Sequence, residues 1–189
     1  KINYNLWSES EMVCSFFISK MKGVGKIATT GIWKIEKRLD NVIDYTTNIE
    51  KTINSDYGKD SYYDLHNVID YVEADYKTEK QFYVSGVNCN PKTALVEMTI
   101  TKEQYGKTGG ILGFHAFQSF AEGEVTPEQC HAIGVRLAEE MWGDRFEVVV
   151  STHLNTKHYH NHFVINSVSF VDGKRYYDKR ETYAELRRL

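Results

Sequence analysis

The chain is poor in the residues that would tie it to a secreted or membrane setting. Its three cysteines, Cys14, Cys89 and Cys130, are odd in number and far apart, so neither a disulfide framework nor a cysteine-ligated zinc site is indicated. The most apolar stretch, Met12 to Ile18, is too short to span a bilayer and follows Glu and Ser rather than basic residues. Neither a membrane span nor a signal peptide is therefore expected, and a reducing cytoplasm is the expected setting. Charge of one sign is lacking too, with 23 basic against 26 acidic residues. The chain also contains no H-E-x-x-H, no P-loop and no G-x-S-x-G, which removes the commonest zinc-protease, nucleotide-phosphate and serine-hydrolase signatures.

What is present describes an ordinary globular protein. With 41% hydrophobic and 26% charged residues over 189 positions, the chain can bury one good-sized core and is short for two. The charge is unevenly placed. Lys20 to Arg38 holds six basic residues against one Glu, Lys174 to Arg188 holds six against three acids, and the acidic balance falls around Glu122 to Asp144. Basic edges beside an acidic back are compatible with gripping phosphate.

Periodicity supplies the elements. Ile32, Ile35, Leu39, Val42 and Ile43 predict a helix over 31–48, with a further helix around 61–76. Asn90-Pro91 predicts a helix start running to Tyr105, and Gly113 to Phe120 a strand. Thr126-Pro127-Glu128-Gln129 places an N-cap, a first-turn proline and an N3 glutamine in capping-box order ahead of Ile133, Leu137 and Met141. Strands follow at 146–152 and 162–170, then a turn at Asp172-Gly173 and a final helix from Lys179. The expected fold is α+β, a central antiparallel sheet flanked by helices. Residues 1–25 are expected to be an N-terminal extension to a domain over 26–189, itself cut from a longer protein.

Four of the seven histidines fall within 153–162. Side chains two apart on a strand share a face, so His160 and His162 act together, with Asn166 farther along, while Asn161 points the other way. An antiparallel pairing with the preceding strand brings His153 across from His162. Three imidazoles leave open positions on a bound ion, an arrangement suited to catalysis. His158, of opposite parity, is the surplus histidine. The same parity rejects the HNH-nuclease reading of His160-Asn161-His162.

No carboxylate base lies between His153 and His160, so a side-chain nucleophile working beside a metal is the alternative to hydrolysis. Tyrosine is abundant. On the expected first helix Tyr45 falls beside the apolar stripe, in a row with Arg38, Asn41 and Asn48; Tyr57, Tyr62 and Tyr63 are rivals.

The segments DNVIDYTTNIEKT (40–52) and HLNTKHYHNHFVIN (153–166), with FHAFQSFAEGEVTPEQCHAIGVRLAEEMW (114–142) between them, resemble the relaxase/mobilisation nuclease family of conjugative plasmids and transposons, within the His-hydrophobe-His superfamily. The resemblance runs from about Lys26 to the end. It implies a bacterial, cytoplasmic enzyme that nicks and transfers single-stranded DNA at an origin of transfer through a 5′-phosphotyrosine. Accessory relaxosome proteins and a conjugative secretion system are the partners it implies. A rolling-circle replication initiator would share this chemistry, and a metal-stabilised DNA-binding module without catalysis could share the histidines. The family's nucleophile falls on Tyr45, its divalent-metal ligands (for Mn2+ or Mg2+) on His153, His160 and His162, and its DNA-contacting serine on Ser119. His115 shares the strand face of Ser119, and Arg38, Asn155, His158 and Asn166 complete the expected DNA-contacting or supporting set. Two positions depart from the pattern the resemblance implies: Asn161 stands where the family usually has an apolar residue, and Asn155 where many members have an acid, so the sequence names no carboxylate as general base.

Overall fold

The computed structural model describes residues 28–52 and 83–186. The N-terminal extension, the helix expected around 61–76 and the tyrosines Tyr57, Tyr62 and Tyr63 lie outside the described residues. Within them the order is β1 (Thr29–Ile35), α1 (Leu39–Thr46), α2 (Ile49–Thr52), β2 (Val84–Val87), α3 (Ala94–Gln104), β3 (Gly113–Ser119), α4 (Pro127–Trp142), β4 (Val148–His153), β5 (His160–Asn166) and α5 (Arg180–Leu186). The strands form one antiparallel sheet in the order β1-β3-β5-β4-β2, an α+β fold.

Both faces of the sheet are covered. On one, Ile32, Phe114, Ala116, Val148, Val150, Phe163 and Ile165 pack against Leu137, Ala138 and Trp142 of α4 and Leu186 of α5. On the other, Ile35, Val149 and Val164 meet Leu39 and Ile43 of α1 and Ala94 and Met98 of α3. Central strands β4 and β5 are buried almost throughout, which explains their near-continuous β-branched runs. Burying a side chain such as Phe163 or Ile165 contributes about 1.5–3 kcal/mol.

The expected helix over 31–48 is two elements. Ile32 and Ile35 are three apart, which mimics a helical stripe, but they point into opposite cores from strand β1, paired with β3 from Thr29↔Ser119 to Ile35↔Gly113. The chain turns at Arg38, whose left-handed backbone (φ 55°) breaks the strand before α1 begins. Asn90-Pro91 likewise makes a turn rather than a helix start: the Asn90 side chain accepts from Lys92 N–H at 3.0 Å, and α3 begins at Ala94. The capping box at Thr126 is present with both its hydrogen bonds, Gln129 N–H to Thr126 Oγ1 at 3.2 Å and Thr126 N–H to Gln129 Oε1 at 3.0 Å. Strand β5 starts two residues before its expected position and ends at Asn166, so His160 lies inside it.

Candidate active site

Strand parity and register build the site on the α1 face. His153 and His160 are direct cross-strand partners and Ser151 lies opposite His162, so the register differs by two residues from the expected His153–His162 pairing. Convergence survives the shift because both positions share one face. The ring centroids of His153 and His160 are 5.2 Å apart, of His153 and His162 4.3 Å, and of His160 and His162 5.0 Å. One ligand-type atom from each lies within 4.8 Å of the other two.

Each imidazole is oriented by a partner on its other nitrogen. His153 Nε2 donates to the Thr46 carbonyl at 2.9 Å, and His160 Nδ1 donates to the His158 carbonyl at 2.9 Å. A carbonyl only accepts, so these nitrogens carry the protons and the opposite nitrogens, Nδ1 of His153 and Nε2 of His160, keep lone pairs. His162 Nδ1 lies 2.9 Å from His115 Nε2, and its Nε2 is buried with no hydrogen-bond partner among the described residues. With Nδ1–H donating to His115, that Nε2 also presents a lone pair. Burial lowers the pKa of His153 to about 4, that of His115 to about 3, and that of His162 well below the ordinary histidine value. The rings are therefore neutral at physiological pH, the form that ligates metal. Three neutral imidazoles, one carrying an orphaned inward nitrogen, fit a divalent ion.

Helix α1 carries Tyr45 to this cluster. Its buried face anchors through Leu39, Ile43 and Thr46, and the Thr46 carbonyl is the acceptor that orients His153. Tyr45, next in the chain, stays 37% exposed, with its ring edge-on to His153 at 5.7 Å and to His162 at 6.0 Å. Of the row expected beside it, Asn41 is on α1, whereas Asn48 lies past the helix end and accepts from Glu50 N–H at 2.9 Å.

The other expected residues divide between near and far. His115 is at the cluster through His162, and Ser119 lies on the same strand face, in register opposite His160. His158 is exposed and contributes its carbonyl; Asn155 is exposed in the same loop. Arg38 sits apart, bonded to Asp40 and Asn41. Asn166 lies at the far end of β5, accepting from Lys102 Nζ at 2.5 Å and donating to Glu147 Oε2 at 2.9 Å within a buried network. Part of the late basic stretch is also committed internally: Arg175 donates to the carbonyls of Gly109 and Ile111, and Lys174 pairs with Asp172.

Two groups escaped sequence reasoning, Ser151 and Lys51, and so did the partners of a third, Asn161. Ser151, wholly buried opposite His162, has a hydroxyl without a hydrogen-bond partner among the described residues. Lys51 places its ammonium 3.4 Å from the centroid of the Tyr45 ring. Asn161, behind the histidines, is wholly buried: its Oδ1 accepts from Thr152 Oγ1 at 2.6 Å, and its Nδ2 donates to Gln118 Oε1 at 3.1 Å and to the Cys130 carbonyl at 2.8 Å. Strand parity turned Asn161 away from the histidines without naming its partners, and nothing in the sequence reading pointed at Ser151 or Lys51.

Residues 48–189 match the family model described as relaxase, MobA/VirD2-like, nuclease domain. The chain belongs to that family. Tyr45 stands just ahead of the matched span. Among relatives of this relaxase domain, a protein rlx of Staphylococcus aureus is 44% identical, covering 51% of this chain and 30% of its own length. The group II intron-interrupted relaxase LtrB of Lactococcus lactis subsp. cremoris is 32% identical over 74% of this chain and 29% of its own length. The chain thus spans about 30% of the curated relatives it matches. No solved structure matches it significantly. No helix among the described residues is long and apolar enough to cross a membrane.

Proposed function

We propose that this relaxase domain nicks one strand of DNA at a specific origin of transfer, with Tyr45 as nucleophile and His153, His160 and His162 as ligands of a divalent ion. The observation that carries this is the edge-on approach of the Tyr45 ring to two of the three histidines, on a helix whose own carbonyl orients one of them. The all-nitrogen donor set favours Mn2+ over Mg2+, which prefers oxygen. When bound, the ion supplies charge neutralisation for the scissile phosphate.

The chain's own residues do the rest. Tyr45, partly exposed and with its ring against two of the histidines, supplies the hydroxyl, and the carbonyls of Thr46 and His158 hold the ligating rings in one tautomer. Tyr45 Oη attacks phosphorus in line, the P–O3′ bond breaks, and the phenolic proton ends on the departing 3′ oxygen. The 5′ end stays on Tyr45 as a phosphodiester, so the step runs backward to rejoin a strand. Single-stranded DNA is the partner, with accessory relaxosome proteins and a conjugative secretion system acting in a bacterial cytoplasm.

The test is covalent trapping on single-stranded oligonucleotides tiling the DNA element that carries the coding sequence. Tyr45→Phe is expected to abolish the denaturation-resistant adduct while leaving folding and DNA binding intact. An adduct that persists places the nucleophile elsewhere.

A further inference from the structure

The reaction as described has no use for Lys51, yet the fold fixes its position from two sides. Its N–H donates to the Asn48 carbonyl at 3.0 Å, which closes the turn after α1. Its carbonyl accepts from Leu154 N–H at 2.7 Å, the residue directly after His153. The segment bearing the lysine is thereby stitched to the strand end that bears a proposed metal ligand, and its side chain is directed back over Tyr45.

Among the described residues only the adjacent Glu50 acts on its charge. Lys51 makes no ion pair among them, and Glu50 is exposed. Its ammonium rests instead on the Tyr45 ring, and its charge is felt at His153, His160 and His162, where it opposes protonation. A half-buried cation next to a tyrosine and three neutral imidazoles makes a positive hollow with no ion-paired carboxylate among the described residues. A contact with a ring face is weaker than a hydrogen bond to a phosphate oxygen and is readily exchanged for one.

Building on the relaxase reading above, we infer that Lys51 is the phosphate clamp of the site, its ammonium donating to a non-bridging oxygen of the scissile phosphodiester. The Tyr45 Oη–P bond forms, the P–O3′ bond breaks, and the phenolic proton ends on the 3′ oxygen. The phosphodiester carries one negative charge before and after the step, so Lys51 neither gains nor loses a proton. Charge on the equatorial oxygens rises between those two states, and a donor aimed at them binds the transition state more tightly than either end. The same contact serves nicking and rejoining.

The experiment compares wild type, Lys51→Met, Lys51→Arg and Tyr45→Phe in single-turnover adduct formation on the tiling oligonucleotides, and in rejoining of the cleaved strand. Lys51→Met is expected to slow both directions by about 10²- to 10³-fold, the loss typical of one transition-state donor, mainly in kcat rather than KM. Lys51→Arg, which keeps the charge, is expected to recover at least about tenfold of that loss, with melting temperatures of both variants close to wild type. Lys51→Met within about threefold of wild type, or Lys51→Arg no faster than Lys51→Met, overturns the clamp. Either result beside a Tyr45→Phe that forms no adduct leaves the relaxase reading standing. An adduct that survives Tyr45→Phe overturns the nucleophile assignment and the clamp with it.

Discussion

Replacing Gly134 by alanine should destabilise this protein, although on helix propensity alone it should stabilise it. Gly134 lies inside α4, where alanine is favoured over glycine by about 1 kcal/mol. A Cβ there, however, would stand 2.5 Å from Asn161 Nδ2 and 2.6 Å from its Cγ, far inside van der Waals contact. Asn161 has nowhere to retreat, being wholly buried and bonded to Thr152, Gln118 and the Cys130 carbonyl. Overpacking of this kind costs about 1–3 kcal/mol. Breaking the two amide donations adds about 1 kcal/mol each. After the helix-propensity gain the net loss is about 2–4 kcal/mol. Urea unfolding should show it as a lower midpoint at unchanged slope.

A double-mutant cycle makes the cause specific. Asn161→Ala alone should be destabilising by about 2–4 kcal/mol, because Thr152, Gln118 and Cys130 lose a buried partner. It also vacates the space that the new Cβ needs. Gly134→Ala in the Asn161→Ala background should therefore be close to neutral, a coupling of about 2 kcal/mol or more. Gly134→Ala that is neutral in the wild-type background, or a double variant additive within about 0.5 kcal/mol, would refute the reasoning.

Two further outcomes follow from the same geometry. Mn2+ at about a hundred times its dissociation constant should stabilise the protein by about 2.7 kcal/mol, which for a chain of this size raises Tm by about 5–10 °C; EDTA should reverse the shift and His160→Ala should abolish it, whereas an equal shift in His160→Ala would place the ion elsewhere. The second concerns His131, enclosed by the Ser85 and Thr152 hydroxyls and the Tyr83 ring, with Glu128 beyond Tyr83, and held by burial at a pKa of about 4. The unfolded chain takes up that proton first, so the stability contributed is complete above about pH 6.5 and is lost as pH falls toward 4. His131→Gln should flatten the stability-versus-pH curve in that window by up to about 1 kcal/mol per pH unit, below the ideal 1.36 because the ring is partly exposed; an unchanged slope would remove His131 from the account.

Much of the site was legible because period-two arithmetic does not depend on knowing the fold. It separated His160 and His162 from Asn161 and drew in His153, and a register shift of two residues left all three on their face. The capping box at Thr126 was equally readable, since both partners are local. The helix expected over 31–48 failed for the converse reason. A strand covered on both faces buries residues of either parity, and Ile32 and Ile35, one per face, imitate a helical i, i+3 pair.

Parity assigns a face but not a distance, and that limit accounts for Asn166. It shares the histidines' face, as expected, yet four residues along a strand is about 13 Å, enough to carry it from the cluster into a different network with Lys102 and Glu147. Asn161 shows the complementary limit. Parity turns its side chain away from the metal face, but what receives it there is set by α4, through the Cys130 carbonyl and the absent side chain of Gly134. A buried amide on the core-facing side of a central strand is tolerable where a glycine makes room and donors and acceptors are both supplied. The amide of Asn161 and the glycine in α4 are therefore one feature, divided in the sequence between two elements that meet only when α4 packs on the sheet. Lys51 belongs to the same class: its place above Tyr45 follows from a backbone hydrogen bond to Leu154, a pairing that no local pattern announces.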